Sequence, residues 1–488
     1  MNNVDYLQLL RLAAPETIVT VTMLLVLGVD LTVLRGKSVA CRFQVGALLS
    51  ILGCVSAAFL AFTRQEHVDL FNGILVVSPQ IDFVKVAILA LTVFTLLIST
   101  AGTFTEHVGE YLSLILLGTI GLMFLVSGED LLMIFVSLEL ASLSLYILTA
   151  FNKRNAHSSE AALKYFLFGG MSAAFLLFGF SLLYGLTGST NLTEVARSLA
   201  GKGLDPLLVV ALVMTVIGFG FKVAAVPFHL WAPDAYEGAP TPSAAFIGAG
   251  SKVASFFILA KILAVGFAGT KGSAVWHGYL AGWIPVVAVV AALSMVLGNL
   301  TAIVQTSVKR LLAYSAIAHA GYMLLGVLSW TAPSRSAMMF YVITYGLTVV
   351  GAFGVVTVVE EATGGDALKN FAGLSRRAPV LSLCLLVFLL SLGGIPPLAG
   401  FIGKFFLFSA VVASGKNLGL LWLVILAIAM SAVSFYYYLQ VLKQAYVLDA
   451  AENAPAIKVP ALTLLALVLL AALVILFGCA PDLLMQFL

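Results

Sequence analysis

The sequence has very little charge. Asp, Glu, Lys and Arg make up 10% of its 488 residues, whereas about a quarter is usual in a soluble domain. Hydrophobic residues account for 61%, and the mean hydropathy is +1.10. So few charges cannot cover the surface of a soluble protein of this size. The composition therefore predicts an all-α polytopic membrane protein.

The sequence also lacks the usual motifs of redox, metal and nucleotide chemistry. Its four cysteines are isolated, with neither a CxxC pair nor a zinc-type spacing. It contains no glycine-rich dinucleotide fingerprint and no phosphate loop. The net charge of +3 is small and scattered, so nucleic acid is not an expected partner. We predict no metal site and no cofactor in this chain, so that any electron chemistry belongs to a partner.

Long apolar runs recur along the whole chain. A run of about 20 residues crosses a hydrocarbon core of ~30 Å as a helix. The first run is itself long enough to span, which predicts that no signal peptide is cleaved. We predict about 14 transmembrane helices, called spans 1–14, at 15–34, 41–62, 78–103, 110–127, 131–151, 160–187, 206–230, 242–267, 277–301, 311–330, 336–360, 379–413, 418–447 and 459–480.

Two of these spans are predicted to be discontinuous. Span 7 contains Pro227, five residues after Lys222, and span 12 contains GGIPPLAG at 393–400. Proline removes a helical hydrogen bond and breaks the helix. A membrane tolerates the freed backbone groups only beside buried protein or water, which is typical of transport sites.

The loop charges predict an orientation. Twelve basic residues, from Arg35 to Lys458, fall on one side of the predicted spans, and seven, from Arg11 to Lys416, fall on the other. Loops rich in Lys and Arg stay on the cytoplasmic side. The N-terminus and the C-terminus are therefore both predicted to lie outside.

The two halves of the chain resemble each other. GFGFK at 218–222 and GFIGK at 400–404 share the pattern GFxxK, and DLLMIFVSLE at 130–139 aligns with RLLAYSAIAH at 310–319, which sets Glu139 opposite His319. The run AALKYF aligns with AMMFYV, which sets Lys164 opposite Phe340.

The repeat unit comprises five helices, helices 4–8 and 9–13, so the second copy is inverted in the membrane. The predicted division is 1–109, 110–270, 271–450 and 451–488, with the two repeats in the middle.

Ionisable residues inside the spans are the candidate functional residues, because charge in hydrocarbon is costly and usually marks an ion path. Glu139 and Lys222 could exchange a proton if the distance between them changed, and Lys252 lies among small residues between the two halves. The candidates for a proton relay are Glu139, Lys164, Lys222, Lys252, Lys404, His319 and His229.

Several candidates have a structural alternative. Lys164 could form an ordinary surface pair with Glu160, four residues earlier. His229 could be a pH-range switch or a satisfied histidine at a helix break. Asp234 and Glu237 could gate proton entry or merely cap the next helix. Two further lysines are predicted to be structural, Lys85 in a local pair with Asp82 and Lys261 as a residue snorkelling to the interface.

Three segments carry a resemblance to a known family. FKVAAVPFHLWAPDAYEGAPTP, KRLLAYSAIAHAGY at 309–322 and GGIPPLAGFIGKF at 393–405 resemble the antiporter-like subunits of proton-pumping NADH:quinone oxidoreductase, respiratory complex I. AYEGAPTP, the fourteen-helix length and the absence of a long C-terminal lateral helix are typical of one branch of these paralogues.

The resemblance implies a proton-translocating membrane-arm subunit in the bacterial cytoplasmic (inner) membrane. NADH, flavin (FMN), iron–sulfur clusters and quinone would be bound by partner subunits, and the neighbours would be sister antiporter-like subunits and small helical subunits. The family's functional residues map onto Glu139, Lys164, Lys222, Lys252 and Lys404 of this sequence.

Two alternative functions remain open from the sequence. The first is a homologous subunit of a multi-subunit cation/proton antiporter or membrane-bound hydrogenase, which shares much of the same motif. The second is a structural spacer within the membrane arm, with no proton path of its own.

Overall fold

The chain folds almost entirely into helices. The computed structural model describes residues 6–201, 203–415, 419–450, 454 and 457–488, so the loop residues Lys202 and Lys416 lie outside it. The first helices are α1 Tyr6–Leu12, α2 Ala14–Thr32, α3 Val39–Thr63, α4 Pro79–Ser99, α5 Val108–Ser127, α6 Leu131–Thr149, α7 Ala156–Thr187, α8 Leu192–Leu199, α9 Pro206–Lys222, α10 Trp231–Gly238 and α11 Thr241–Gly248. They continue with α12 Gly250–Lys261, α13 Trp283–Ile303, α14 Val308–Ser329, α15 Ala332–Thr363, α16 Leu374–Arg377, α17 Pro379–Gly393, α18 Ala399–Ser414, α19 Leu421–Tyr446, α20 Ala461–Cys479 and α21 Asp482–Met485.

Short irregular elements lie between these helices. A π-helix, Ile262–Gly266, follows α12 directly, and 3-10 turns occupy Ala268–Thr270 and Leu368–Phe371. Two antiparallel hairpins pair β1 Val68–Leu70 with β2 Leu75–Val77 and β3 Ser273–Val275 with β4 Gly278–Leu280. We call the end of the bundle with the 64–78, 188–205 and 267–282 connections the predicted outer face, and the opposite end the predicted inner face.

The fourteen predicted spans are confirmed. Within the described residues, twelve helices, with α11 to the π-helix counted as one, are long and apolar enough to cross a membrane. The other two spans are the broken ones, α9 with α10 and α17 with α18. The sequence did not predict α8 or the hairpins, because segments of three to eight residues are too short for a spanning signal.

In both broken spans a later side chain satisfies the carbonyl groups that the break exposes. The indole Nε1 of Trp231 donates to the carbonyl oxygen of Phe221 at 3.0 Å, near the end of α9. Lys404 Nζ donates to the carbonyl oxygens of Leu392 and Gly393 at 2.9 and 3.1 Å, at the end of α17. Unpaired carbonyl groups are costly in a membrane, so these contacts make the breaks tolerable.

The two five-helix repeats are visible in matching details. Helices α7 and α15 are both 32 residues long, and each is closed by a left-handed glycine, Gly188 and Gly364. Asp130, just before α6, forms an isolated antiparallel bridge with Asn191, which follows α7. Ser307, just before α14, forms the equivalent bridge with Ala367, which follows α15. Phe340 lies as far along α15 as Lys164 lies along α7, so the predicted alignment of these two residues agrees with the two long helices.

Two predicted equivalences between the repeats are wrong. The backbone at Gly121 approaches Ala141, and that at Gly298 approaches Ala318, in the same way in each copy. Gly298 and Ala318 lie 177 residues after Gly121 and Ala141, respectively. The same offset sets His319 opposite Ser142, and not opposite Glu139. A slip of three residues is almost one helical turn, so it preserves the apolar pattern and escapes detection in the sequence.

The two GFxxK lysines are not equivalent either. Lys222 is the last residue before the break in span 7, whereas Lys404 lies inside α18, after the break in span 12.

Helices α14 and α15 form the centre of the bundle. The apolar stretch of α15 is entirely buried and that of α14 is 94% buried, whereas only about a third or less of those of α2, α7 and α19 is buried. The exposed side chains of these outer helices are large and apolar, among them Leu24, Phe178 and Ile428. Such a surface is stable in lipid and not in water.

Candidate functional site

Lys222 reaches α6 one helical turn from Glu139. Its Nζ donates to Ser142 Oγ, and the hydroxyl of Ser142 in turn donates to the Leu138 carbonyl oxygen. The described side chains include no ion pair within 4.0 Å between Lys222 and Glu139, and the buried Oε1 of Glu139 has no hydrogen-bond partner among them. Lys222 is therefore held by Ser142 one turn from Glu139, and proton exchange between Lys222 and Glu139 stays a prediction.

Lys252 connects the first repeat to the second. Its side chain is fully enclosed, and Nζ donates to the carbonyl oxygen of Ala316 on α14 at 2.5 Å. The ammonium group also lies 5.7 Å from the ring centre of Tyr345 on α15. Lys252 occupies the first turn of α12, just after the short interruption that separates it from α11.

His319 lies in a buried cluster of tyrosines. Its Nδ1 is 2.6 Å from the hydroxyl oxygen of Tyr341, and its Nε2 is 3.2 Å from that of Tyr438. The ring centre of Tyr345 is 4.8 Å away and that of Tyr322 is 5.5 Å away. Tyr345 also touches Lys252, so His319 is linked to Lys252 through one aromatic ring.

Lys404 is the last basic residue in this series of contacts, on the side of His319 away from Lys252. Besides the two carbonyl groups at the end of α17, its Nζ donates to Ser431 Oγ at 2.8 Å, so all three ammonium protons have an acceptor. The ammonium lies 5.3 Å from the ring centre of Tyr322. A cavity of about 730 Å³ between α18 and α19 borders the lysine, and it is otherwise lined mainly by apolar side chains. The contacts thus run from Lys252 through Tyr345, His319 and Tyr322 to Lys404.

Lys164 belongs to a charged network at the predicted inner face. Its Nζ contacts both Glu160 and Asp234 at 2.8 Å, so the predicted pair with Glu160 exists beside a second one. Arg310 joins Asp234 to Glu237, at 2.8 and 2.7 Å. Asp234 accepts hydrogen bonds from both Lys164 and Arg310, so one carboxylate joins α7 to α14 at this face.

Asp234 and Glu237 do not cap the helix that follows them. The N-cap position of α11 is Pro240, which makes no side-chain cap, and both carboxylates are engaged by basic side chains instead. The capping alternative is therefore wrong, and gating of proton entry stays a prediction.

Three other predicted residues are placed as follows. His229 lies half-buried between α9 and α10, and its Nδ1 has no hydrogen-bond partner among the described residues. Lys85 does pair with Asp82, at 3.6 Å, but Glu16 on α2 is closer, at 2.7 Å. Lys261 does not snorkel outward, because its side chain is 14% exposed and is paired with Glu129 at 2.7 Å.

The sequence reasoning missed the uncharged members of the site. Ser142, Ser431 and the tyrosines at 322, 341, 345 and 438 provide the contacts between the charged groups. Their hydroxyl groups are not rare in apolar helices, so each is weak evidence alone. The four-residue spacing of Tyr341 and Tyr345, which sets both on one face of α15, is the signal that could have found them.

Comparison with known proteins agrees with this architecture. Residues 128–431 match the family model described as NADH:quinone oxidoreductase/Mrp antiporter, transmembrane. NADH-quinone oxidoreductase subunit N 2 of Acidobacterium capsulatum is 52% identical over the full length of both chains. A chain of respiratory complex I from Thermus thermophilus is 33% identical, with a TM-score of 0.77 over 97% of this chain and 98% of that one.

A more distant comparison shows only the fold. A chain of the Mrp complex from Dietzia sp. has a TM-score of 0.83 at 19% identity, over 98% of this chain and 96% of that one. Common architecture therefore extends well beyond the relatives that are similar in sequence. From the family match and the full-length relative, the chain is a member of the NADH:quinone oxidoreductase/Mrp antiporter membrane family.

Proposed function

We propose that the chain is a proton-translocating membrane-arm subunit of an NADH:quinone oxidoreductase in a bacterial inner membrane. The observation that carries this proposal is the line of contacts from Lys252 through His319 to Lys404, which joins the first repeat to the second. A spacer subunit would have no need of three buried basic groups in a row. The 52% identity to a subunit N favours this assembly over the cation/proton antiporter and hydrogenase alternatives.

In the proposed relay, protons enter at the predicted inner face, where Lys164, Asp234 and Glu237 are partly exposed. Lys222 and Glu139 form the first exchange step, with Ser142 holding the lysine in place. Moving one charge across the membrane costs ~2.3 kcal/mol per 100 mV. Titratable groups spaced along the path divide that work into smaller steps.

The connection between Lys222 and Lys252 is the open step of the relay. The described residues show no hydrogen bond that joins these two lysines directly. Transfer between them requires water or a shift of side chains. This is the step at which a conformational change in a partner could act on the path.

The driving energy must come from other subunits. We propose that NADH, flavin, iron–sulfur clusters and quinone are bound there and that this chain carries no redox group. In the described residues, no group of three or more His, Cys, Asp and Glu is arranged to hold a metal ion. The four-part division of the chain at residues 109, 270 and 450 is proposed with it, because the relay residues then fall within the two repeats.

Two open faces of the bundle are suited to membrane partners. The first is the α6 surface with Leu132, Val136 and Leu143 exposed, beside half-buried Glu139. The second is the cavity that borders Lys404. Sister antiporter-like subunits and small helical subunits packed on these faces would cover the apolar surface and bring other charged groups close to Glu139 and to Lys404.

Replacement of Lys222 tests the proposed function. The complex would be reconstituted into liposomes with Lys222→Met, and with Lys153→Met as a control at an exposed loop lysine. We expect fewer protons pumped per NADH oxidised in the first variant and no change in the second. Unchanged pumping with Lys222→Met would contradict a relay through this chain.

A further inference from the structure

Glu139, Ser142 and Tyr146 lie on one face of α6. Their spacing of three and then four residues sets the three side chains in a row, with a rise of about 10.5 Å from the first to the last. Lys222 Nζ donates to Ser142 Oγ, in the middle of this row. The lysine therefore has a carboxylate on one side along α6 and an aromatic ring on the other.

The ammonium group of Lys222 lies on the aromatic side of this row. Its Nζ is 5.5 Å from the ring centre of Tyr146 and 5.8 Å from that of Phe221. Among the described side chains it forms no ion pair within 4.0 Å with Glu139, although the buried Oε1 of that carboxylate has no hydrogen-bond partner there. A carboxylate is ordinarily the strongest partner of a buried cation. The surroundings of Lys222 must therefore favour the position away from Glu139.

The ring of Tyr146 is confined on the side away from the lysine. Gly169 on α7 packs so closely against it that a Cβ atom at this glycine would be 2.0 Å from the tyrosine hydroxyl oxygen. Tyr165, also on α7, packs edge-to-face with the ring, and the two ring centres are 4.6 Å apart. Tyr146 therefore has no room to withdraw from Lys222 towards α7.

The rings around Lys222 also reach the break in span 7. Tyr165 stacks on Trp231 with ring centres 4.1 Å apart, and the Trp231 ring lies 5.1 Å from that of Phe221. Phe221 directly precedes Lys222 in the chain, and its carbonyl oxygen accepts the hydrogen bond from the Trp231 indole. These contacts join α6, α7, α9 and α10 around the lysine, so the ring of Tyr146 and the backbone of Lys222 are held in one arrangement.

The ring of Tyr146, and not its hydroxyl group, is the part that faces the lysine. The hydroxyl oxygen has no hydrogen-bond partner among the described residues, whereas Lys222 Nζ lies over the ring. The face of an aromatic ring attracts a cation, and the attraction is strongest where water is excluded. Tyr146 is 5% exposed, so this contact is shielded from water.

We propose that Tyr146 is a positioning residue for the exchange between Lys222 and Glu139, and that its ring holds the charged lysine at Ser142. The ring attracts the side chain only while the lysine carries its charge. The protonated lysine therefore rests apart from Glu139, and exchange begins from a separated pair. Without the ring, the ammonium would move to the free carboxylate oxygen and the pair would stay closed. This inference rests on the proposed relay function.

Weakening the attraction of the ring while keeping its shape tests this function. A ring-trifluorinated phenylalanine at position 146 is close in size to phenylalanine, but its fluorine atoms withdraw negative charge from the ring face. We expect Tyr146→Phe to pump as many protons per NADH as the unchanged complex, because it keeps the ring. The trifluorinated variant is expected to lose most of the share of pumping that Lys222→Met loses.

The same two replacements at Tyr236 are the matched control. Tyr236 is also buried and packs against the rings of Trp231 and Phe353. In the described part of the chain, no Lys or Arg lies over its ring. We expect Tyr236→Phe and the trifluorinated variant at this position to pump alike.

The position of Lys222 provides a second measurement that does not depend on pumping. In the structure of the complex with the trifluorinated ring at position 146, we expect Lys222 Nζ within ion-pair distance of Glu139. A lysine that remains at Ser142 in that variant would contradict the proposal.

The pumping measurements separate the positioning function from the relay. Equal pumping by Tyr146→Phe and the trifluorinated variant, with Lys222→Met impaired, would show that the ring only packs, and would overturn the positioning function while leaving the relay intact. A loss already present in Tyr146→Phe would assign the effect to the hydroxyl group and overturn it as well. Normal pumping by Lys222→Met would overturn the relay itself.

Discussion

Lys252 Nζ and the carbonyl oxygen of Ala316 are 2.5 Å apart, which joins the last span of the first repeat to the second span of the other. Ala316 is three residues before His319, on the same helix. The ammonium group is thus held where one aromatic ring, that of Tyr345, separates it from the imidazole. The two repeats meet at this contact, and any charge that passes between them has this short connection available.

Loss of the Tyr341 hydroxyl should impair the step at His319. Tyr341→Phe removes the partner of Nδ1 and keeps the ring, and a hydrogen bond of this kind contributes about 1 kcal/mol. We expect NADH oxidation in the presence of an uncoupler to continue, and coupled proton pumping to slow several-fold. Proton uptake in liposomes measures the effect.

The control for this variant is Tyr111→Phe. Tyr111 is also fully buried and its hydroxyl also has polar neighbours, Ser99 and Ser243, but it lies outside the line. Equal losses in both variants would show that removal of any buried hydroxyl group is harmful, and would contradict a specific function of Tyr341.

Ser142 is predicted to position Lys222. A hydrogen bond to a charged group contributes about 1.5–3 kcal/mol, so Ser142→Ala should free the ammonium and slow pumping about tenfold. Ser137→Ala is the control, because Ser137 is buried on the same helix with its Oγ unpartnered among the described residues. Pumping by Ser142→Ala at the rate of the control would remove Ser142 from the site.

Gly400 is predicted to be essential for the break in span 12. A Cβ atom at this position would lie 1.9 Å from the Ser391 carbonyl oxygen, so the two half-helices would have to separate. Overpacking of this kind costs about 1–3 kcal/mol or more.

We therefore expect Gly400→Ala to reduce both the heat stability of the complex and pumping. Gly170→Ala has free space around its Cβ position and should leave both unchanged. A fully stable and active Gly400→Ala would mean that the break does not require this close approach.

Lys85 is predicted to depend on its partner. It is fully buried and paired with Glu16 at 2.7 Å, so Lys85→Met leaves a buried carboxylate without its cation. Removing one partner of a buried pair costs about 3–5 kcal/mol, whereas replacing both is much less harmful. Thermal unfolding of the complex should therefore show a larger loss for Lys85→Met than for Lys85→Met with Glu16→Gln, and the reverse order would contradict this interpretation.

The sequence predicted the features that are physically costly in a membrane. Pro227 and the GGIPPLAG segment marked the two breaks because lipid cannot replace a missing backbone hydrogen bond. Lys222, Lys252 and Lys404 marked the proposed path because charge in hydrocarbon is rare. The whole set of spans followed from run lengths alone.

The sequence could not predict features that cost little free energy in a membrane. The hydroxyl group of Ser142 can bond to its own helix, and that of Tyr341 sits on an apolar ring, so neither stands out in an apolar run. The helix register between the repeats was missed by three residues, since a slip of nearly one turn keeps the same residues facing inward. The pairing of Lys261 with Glu129 joins residues 132 positions apart and depends on how the spans pack.

A proton path between the repeats is tested most directly by the number of protons pumped per NADH oxidised with Lys252→Met in the reconstituted complex. Lys369→Met, at an exposed lysine of the 3-10 turn Leu368–Phe371, serves as the control. We predict that Lys252→Met assembles, oxidises NADH when uncoupled, and pumps fewer protons per NADH than the control. An unchanged proton-to-NADH ratio in Lys252→Met would contradict a proton path that joins the two repeats at this residue.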